Sequence, residues 1–218
     1  MRSKTRHARV TTALLAGLAS AALIVGCSDD STNGTPQPAG GQPPQTAQQP
    51  DSALPHSGAP KVTDPIETAA FEADPCGVVT EVQLKSMGMT LDEFEPELDF
   101  PAGPKCDWLL HPVRAGSFGG AFLTANPEGL SNFYAKDKAD EWGYFEEVDP
   151  IKGYPAVVVA LNDPPGEGFC NLEVGLRDDL AFSVGVSGSW EESPLYDDPC
   201  GVAQKLAELV IKNMKGSA

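Results

Sequence analysis

The sequence predicts an α+β domain with a mainly antiparallel sheet, a helix at each end, one covering helix and two disulfides. Three observations carry that expectation. The pentapeptide Asp-Pro-Cys-Gly-Val occurs twice, at 74–78 and 198–202, and each copy opens an apolar-periodic run. Between the copies lie short β-branched and aromatic runs separated by Gly and Pro clusters, the pattern of strands joined by turns. The four cysteines beyond residue 27, Cys76, Cys106, Cys170 and Cys200, form an even set, and an even set in an exported chain points to disulfides.

Export is read from the N-terminus. Arg2, Lys4, Arg6 and Arg9 precede an uncharged apolar stretch over 13–25, the build of a secretory signal peptide and shorter than the ~20 apolar residues of a membrane-spanning helix. The stretch ends in Leu23-Ile24-Val25-Gly26-Cys27, a lipobox. A thiol at this position accepts a diacylglyceryl group by S-alkylation, and cleavage on the Gly26 side leaves Cys27 as the lipidated N-terminus. Residues 1–26 are thus expected to be a lipoprotein signal and Cys27 the point of attachment to the extracytoplasmic face of the cell membrane. Residues 27–66 are rich in Pro, Gln, Gly, Ser and Thr, a composition that buries too little apolar surface to offset its ordering entropy. They are expected to form a tether, with a reach of roughly 35 Å by flexible-chain scaling. The remaining segment, 67–218, is large enough for one self-standing core.

Charge narrows the partners. The chain carries 15 Lys and Arg against 31 Asp and Glu; without the four basic residues of the signal, 11 remain against 31, a net charge of −20. Nucleic acid is excluded as a partner, since that affinity comes largely from cations meeting phosphates. The same sign opposes direct docking on anionic lipid. The partners expected are the membrane, through the anchor on Cys27, and an unidentified envelope ligand or protein.

Along the domain, each pentapeptide places Asp as N-cap and Pro at the first helical position. After the first copy, Thr80 and Gln83 offer a capping box, so a short turn and then a helix through about residue 87 are expected. The acidic run Asp92, Glu93, Glu95, Glu97 and Asp99 lacks the ligand spacing and glycine of a calcium loop and reads as a solvated connector. Strands are expected at 106–110 and 120–125, with Gly116-Ser117-Phe118-Gly119-Gly120 as a turn before the second. A helix over 131–141, carrying Phe133 and Tyr134, would cover one sheet face. Further strands follow at 156–161, 170–176 and 180–187, the last two joined by Arg177-Asp178-Asp179 as a hairpin turn. In the final helix Val202, Leu206, Leu209 and Val210 share one face, and Lys212, Lys215 and Gly216 mark its end. The order α-β-β-α-β-β-β-α gives the mainly antiparallel α+β expectation.

Cys76 and Cys106 lie 30 residues apart, as do Cys170 and Cys200, and each pair joins a helix start to a strand start. Sequential pairing is therefore favoured; the alternative joins Cys76 to Cys200 and Cys106 to Cys170. No Cys-x-x-Cys pair exists, and His56 and His111 sit near no cysteine cluster in the sequence, so neither a zinc site nor another cofactor is expected.

The lipobox Cys27, the low-complexity stretch after it, Asp74-Pro75-Cys76 before a short helix, Cys106-Asp107-Trp108 at a strand start, Cys170 opening a late strand and Asp198-Pro199-Cys200 opening the last helix together resemble the actinobacterial lipoproteins built on domain of unknown function 3558. The resemblance covers nearly the whole mature domain. It implies a cell-envelope lipoprotein and supplies no activity. A looser likeness to the two-disulfide extracellular sensor domains of actinobacterial Ser/Thr kinases implies ligand sensing by analogy of fold.

The sequence holds no Gly-x-Ser-x-Gly, His-Glu-x-x-His, Walker loop or dinucleotide fingerprint, and His111 has no identifiable nucleophile to serve. Trp108, two residues after Cys106, is expected in the core. Trp142, Tyr144 and Phe145 either close the core or line a groove. Trp190 and Tyr196 lie in the Gly/Ser/Glu-rich connection before the last helix, where aromatics are often exposed. The candidate ligand-binding residues are therefore Trp190, Tyr196, Trp142 and Tyr144. Two function classes follow. One is a non-enzymatic, lipid-anchored binding, sensing or accessory module outside the cytoplasmic membrane. The other is an extracytoplasmic hydrolase, which would show paired acidic residues at the ends of adjacent strands facing one cleft.

Overall fold

The computed structural model describes residues 53–162 and 164–216. Cys27 and the rest of the expected signal and lipid-attachment region lie outside the described residues. Along these residues the chain forms α1 (Ala69–Ala73), a 3-10 turn (Pro75–Val78), α2 (Glu81–Ser86), β1 (Leu91–Glu97), β2 (Lys105–Leu110), a second 3-10 turn (Val113–Ala115) and β3 (Ser117–Phe122). These are followed by α3 (Leu130–Lys138), β4 (Tyr144–Ile151), β5 (Tyr154–Ala160), β6 (Phe169–Arg177), β7 (Leu180–Ser187) and α4 (Pro199–Gly216). The seven strands form one sheet in the order β1-β2-β3-β7-β6-β5-β4, with every pair antiparallel. Two meanders, β1 to β3 and β4 to β7, are thus connected through α3 and joined along β3 and β7.

Strand alternation sorts the side chains onto two faces. One carries Trp108, Phe118, Phe122, Phe182, Val184, Leu172 and Val174, all buried. α4 lies on this face through Ala203, Leu206, Ala207, Val210, Ile211 and Met214, spaced three and four apart as one helical stripe requires. Trp108 stacks on Phe118 with centroids 4.8 Å apart, and Phe122 meets Phe182 edge-on at 4.8 Å. Gly120 sits under these rings, where a Cβ would come within 2.7 Å of Phe182. The Gly116-to-Gly120 run expected as a turn is therefore mostly strand β3, its glycines serving close packing. On the opposite face α3 places Leu130, Phe133 and Tyr134 over Val157, Val159 and Ala181.

The repeated pentapeptide yields two different structures. Asp198 caps α4, its Oδ1 accepting from the Gly201 amide at 2.9 Å. Asp74 makes no side-chain cap; its backbone carbonyl accepts from Gly77 at 3.1 Å, and the chain turns extended at Val79 after one 3-10 turn. Thr80 and Gln83 then form the expected capping box, Gln83 N donating to Thr80 Oγ1 at 3.3 Å and Thr80 N to Gln83 Oε1 at 2.9 Å.

Two strands escaped the sequence. The acidic run expected as a connector is β1, and β4 occupies the other edge of the sheet. β1 is mostly and β4 half exposed, and both carry acids plus a proline, Pro96 and Pro150, devices that block pairing with another chain. Because edge strands bury little, their sequences lack the apolar alternation that marks the central ones.

The tether boundary also moves. From about residue 55 the chain packs on the domain: Ala59, Val62 and Ile66 are buried. His56 N donates to Ser131 Oγ at 2.9 Å, Val62 N to Asp178 Oδ1 at 2.8 Å and Ile66 N to the Leu176 carbonyl at 3.1 Å. Tyr154 OH donates to the Asp64 carbonyl at 2.6 Å. These apolar residues are too sparse to show periodicity, so composition alone hides their role.

The structure joins Cys76 to Cys106 and Cys170 to Cys200. The first ties the 3-10 turn before α2 to β2, the second ties β6 to the first turn of α4.

Two expectations follow. A chain shortened to begin at Thr68 should melt well below one beginning at Ala53, and Ile66→Ala alone should cost about 2 to 5 kcal/mol in denaturant unfolding; equal stability would contradict the packing of this segment. Replacing Cys170 and Cys200 together by Ser should cost about 3 to 4 kcal/mol from loss of a closed loop of this length, and non-reducing peptide mapping should return only sequential linkages.

Candidate functional site

A helix of nine residues is ~14 Å long, whereas seven strands at ~4.8 Å spacing make a sheet ~29 Å wide. α3 therefore leaves part of its face bare. Leu130 packs near Gly175, and Gly129 against the Asp178 backbone, which sets α3 toward the β6–β7 turn. The uncovered surface is floored by β3 and β7, where Ser117 faces Ser187, Gly119 faces Gly185 and Ala121 faces Ser183. All six are half-buried, and their small, partly polar side chains tolerate water.

At the end of the strands away from that turn, three connections meet: residues 111–116, 164–168 and 188–198. Gly188 N donates to the Gly168 carbonyl at 2.8 Å and Gly168 N to the Tyr196 carbonyl at 3.0 Å. The buried Ser193 donates from Oγ to the Ala115 carbonyl at 2.7 Å. Gly168 has φ +84°, and a Cβ there would lie 1.9 Å from the Gly188 carbonyl oxygen, so no other residue fits this junction.

Two cavities open beside these loops. The smaller, about 270 Å³, is lined by Asp92, Leu109, Val113, Ser117, Ser187 and Trp190 among others. The larger, about 680 Å³, includes Val159, Leu161, Glu167, Phe169 and Asn171 in its wall. It forms because β5 and β6 pair only over Ala156–Val158 and Leu172–Val174 and then part. The cavities flank one register pair, Phe169 lining the larger and Ser187 the smaller. Side by side along the strand ends, they form a two-part groove.

Its rim is apolar. Seven large hydrophobic residues are exposed among the described residues, and four of them, Val113 (84%), Leu161 (71%), Trp190 (49%) and Phe169 (47%), line this groove. That clustering separates the site from ordinary scattered exposure. The Arg114 guanidinium sits 4.4 Å from the centre of the Trp190 ring and its Nη1 4.0 Å from the Glu192 carboxylate, which steadies the indole at the rim.

Of the four aromatic candidates, Trp190 lines the groove. Tyr196 stands at its border: partial desolvation raises its phenol above the ordinary value, and Glu167, Glu191 and Asp197 add to the shift. Trp142 and Tyr144 lie elsewhere. Trp142 stacks on Phe133 at 5.9 Å and donates from Nε1 to the Phe133 carbonyl at 3.1 Å, helping α3 pack. Tyr144 packs from the β4 edge against the core under α4 and donates to Glu146. Sequence reasoning missed Val113, Leu161 and Phe169. Phe169 alternates with the buried Cys170 and Leu172, which assigns its face; only the reach of α3 shows that this part of the face is bare.

Glu173, on the same face as Asn171, is also unforeseen. It is 5% exposed. Ser183 Oγ donates to its Oε1 at 3.0 Å, while Oε2 has no partner among the described residues. Burial pushes the carboxyl up to about 7, outweighing the opposing effect of the Ser183 hydrogen bond.

Fold and groove together define a two-disulfide α+β domain with an open, loop-bounded groove on one sheet face. The chain matches the family described as protein of unknown function (DUF3558) over residues 22–213 and belongs to that family. No curated protein and no solved structure matches it.

Glu173 gives the domain a defined pH response. Its folded-state pKa lies above the ordinary carboxylate value, so the stability of the neutral form is complete below about pH 4.5 and lost as pH rises through about 7. The expected loss is about 3 kcal/mol. Thermal melts of Glu173→Gln and wild type should converge near pH 4.5 and separate by pH 8.5, with the variant more stable. A difference independent of pH would show that Glu173 stays ionised.

Proposed function

We propose that this protein is a lipid-anchored cell-envelope lipoprotein of actinobacterial type, held on the extracytoplasmic face of the membrane through Cys27, and that it acts as a non-enzymatic binding module. The observation that carries the binding reading is the groove at the loop end, where four exposed hydrophobics line two adjoining cavities together with Ser117, Ser187 and Asn171. Such a surface loses free energy in water and regains it on contact with a partner. The hydrolase alternative needs two carboxylates in one cleft. Among the described residues the groove acids Asp92, in β1, and Glu167, just before β6, have three strands between them, so they are not paired at adjacent strand ends, an arrangement that favours binding.

The anchor is supported by the basic cluster, the apolar stretch and Leu23-Ile24-Val25-Gly26-Cys27, a segment that the family match includes. Two disulfides agree with an oxidising compartment. A single diacylglyceryl group carries two acyl chains, enough for stable attachment.

Cys27→Ser keeps the apolar export signal and removes the thiol that the lipid transfer needs. The variant should take up no labelled fatty acid and should leave the membrane fraction. Label still entering the variant would exclude Cys27 as the attachment site.

A further inference from the structure

We propose that the groove binds an extended, cationic peptide segment bearing apolar side chains, presented by a partner protein; this rests on the binding-module reading above. The two parts of the groove run from Asp92 in β1, across β2, β3, β7 and β6, to Val159 in β5. Five strand spacings make that path ~24 Å, the length of about seven residues of extended chain. Both cavities open to solvent, which suits a segment laid across the sheet better than an enclosed small molecule.

The chemistry along the path matches such a segment. Val113 and Trp190 at one end and Phe169 and Leu161 toward the other offer apolar contacts. Ser117, Ser187 and Asn171 offer hydrogen-bonding groups for a peptide backbone.

Charge selects the sign. Asp92 and Glu167 line the groove and Glu191 flanks Trp190 in the chain, and none of the three has an ion-pair partner among the described residues. No Lys or Arg lines either cavity. Arg114, next to Trp190, already faces Glu192. A partner that covers these carboxylates without supplying cations would strand them, so positive charge is required.

Charge argues for a protein partner over the lipid surface, since the groove carboxylates oppose anionic headgroups. Pro55 and Val62 approach the domain beside Leu130 and Asp178, at the β6–β7 turn. Phe169 lies at the far end of the nine-residue β6, ~30 Å from that turn. The groove is thus at the opposite end of the sheet from the packed segment over 55–66. Strand addition is disfavoured, since both sheet edges carry acids and proline.

The test uses the full chain in non-ionic detergent and a synthetic peptide, acetyl-Lys-Leu-Ser-Phe-Lys-Val-Lys-amide, titrated by calorimetry. A peptide with Lys replaced by Glu, and one with Leu, Phe and Val replaced by Ser, should each bind at least tenfold more weakly. The double variant Phe169→Ser, Trp190→Ala should lose at least tenfold in affinity. Val82→Ser with Phe94→Ser, which removes exposed apolar groups elsewhere, should bind as wild type. Thermal melts establish that both variants fold. No binding of the cationic peptide, equal binding of the Glu peptide, or unchanged affinity in the groove variant overturns the proposal. Self-association of the wild type that the groove variant abolishes would assign the surface to a second copy instead. Flotation of the Cys27→Ser chain with phosphatidylglycerol vesicles, abolished by the groove substitutions, would assign it to lipid. Because the titration uses purified chain, these outcomes are separate from membrane fractionation, which alone decides the anchor.

Discussion

The pairing of β3 with β7 is the contact on which the rest of the structure depends. Every other strand pair joins neighbours in sequence, but these two strands bring together residues 60 to 70 apart in the chain. Closing so long a loop costs more entropy than closing a hairpin, and that entropy is spent before the contacts form. What offsets it is the aromatic layer beneath α4. Phe118 and Phe122 from β3 and Phe182 and Val184 from β7 become one surface only when the strands pair, and Gly120 leaves room for the rings. The same joint places Ser117, Gly119, Ser187 and Gly185 side by side on the opposite face. Core and groove floor are thus two sides of one ladder.

Around this joint the remaining elements act as fasteners. One disulfide holds the turn before α2 to β2, the other holds β6 to the start of α4. The segment over 55–66 crosses the opposite pole, reaching α3 through His56 and the β6–β7 turn through Val62. Acidic edges keep the sheet from extending into another chain. Glu173 is the exception to this economy. A carboxyl buried with one oxygen unpartnered is tolerable because protonation removes the charge, and the consequence is a domain more stable in mild acid.

The groove and the described segment over 55–66 lie at opposite ends of β6. A lipid on Cys27 would restrict the protein to the membrane surface, while the loop pole stays available to a partner. The strong negative charge then does two things: it keeps the domain off anionic lipid, and it leaves uncompensated carboxylates along a groove whose rim is apolar. Selectivity would come from pairing those carboxylates and affinity from covering Val113, Leu161, Phe169 and Trp190.

The sequence by itself determined much of the frame. Asp198-Pro199 and Thr80 with Gln83 start helices through bonds that span three residues, so they are legible wherever they occur. The central strands β2, β5, β6 and β7 show in their apolar runs because each is buried on at least one face. The equal spacing of the cysteines pointed to the pairing that the structure makes. Tertiary structure decided the rest. The edge strands β1 and β4 bury too little to leave a pattern, and the conformation of residues 55–66 depends on distant partners such as Asp178 and Leu176. The groove depends on where a short helix stops covering a wide sheet and where β5 parts from β6. Caps and alternation are written within a few residues of chain; a bare surface is defined only by what the whole fold fails to cover, and no local pattern encodes that.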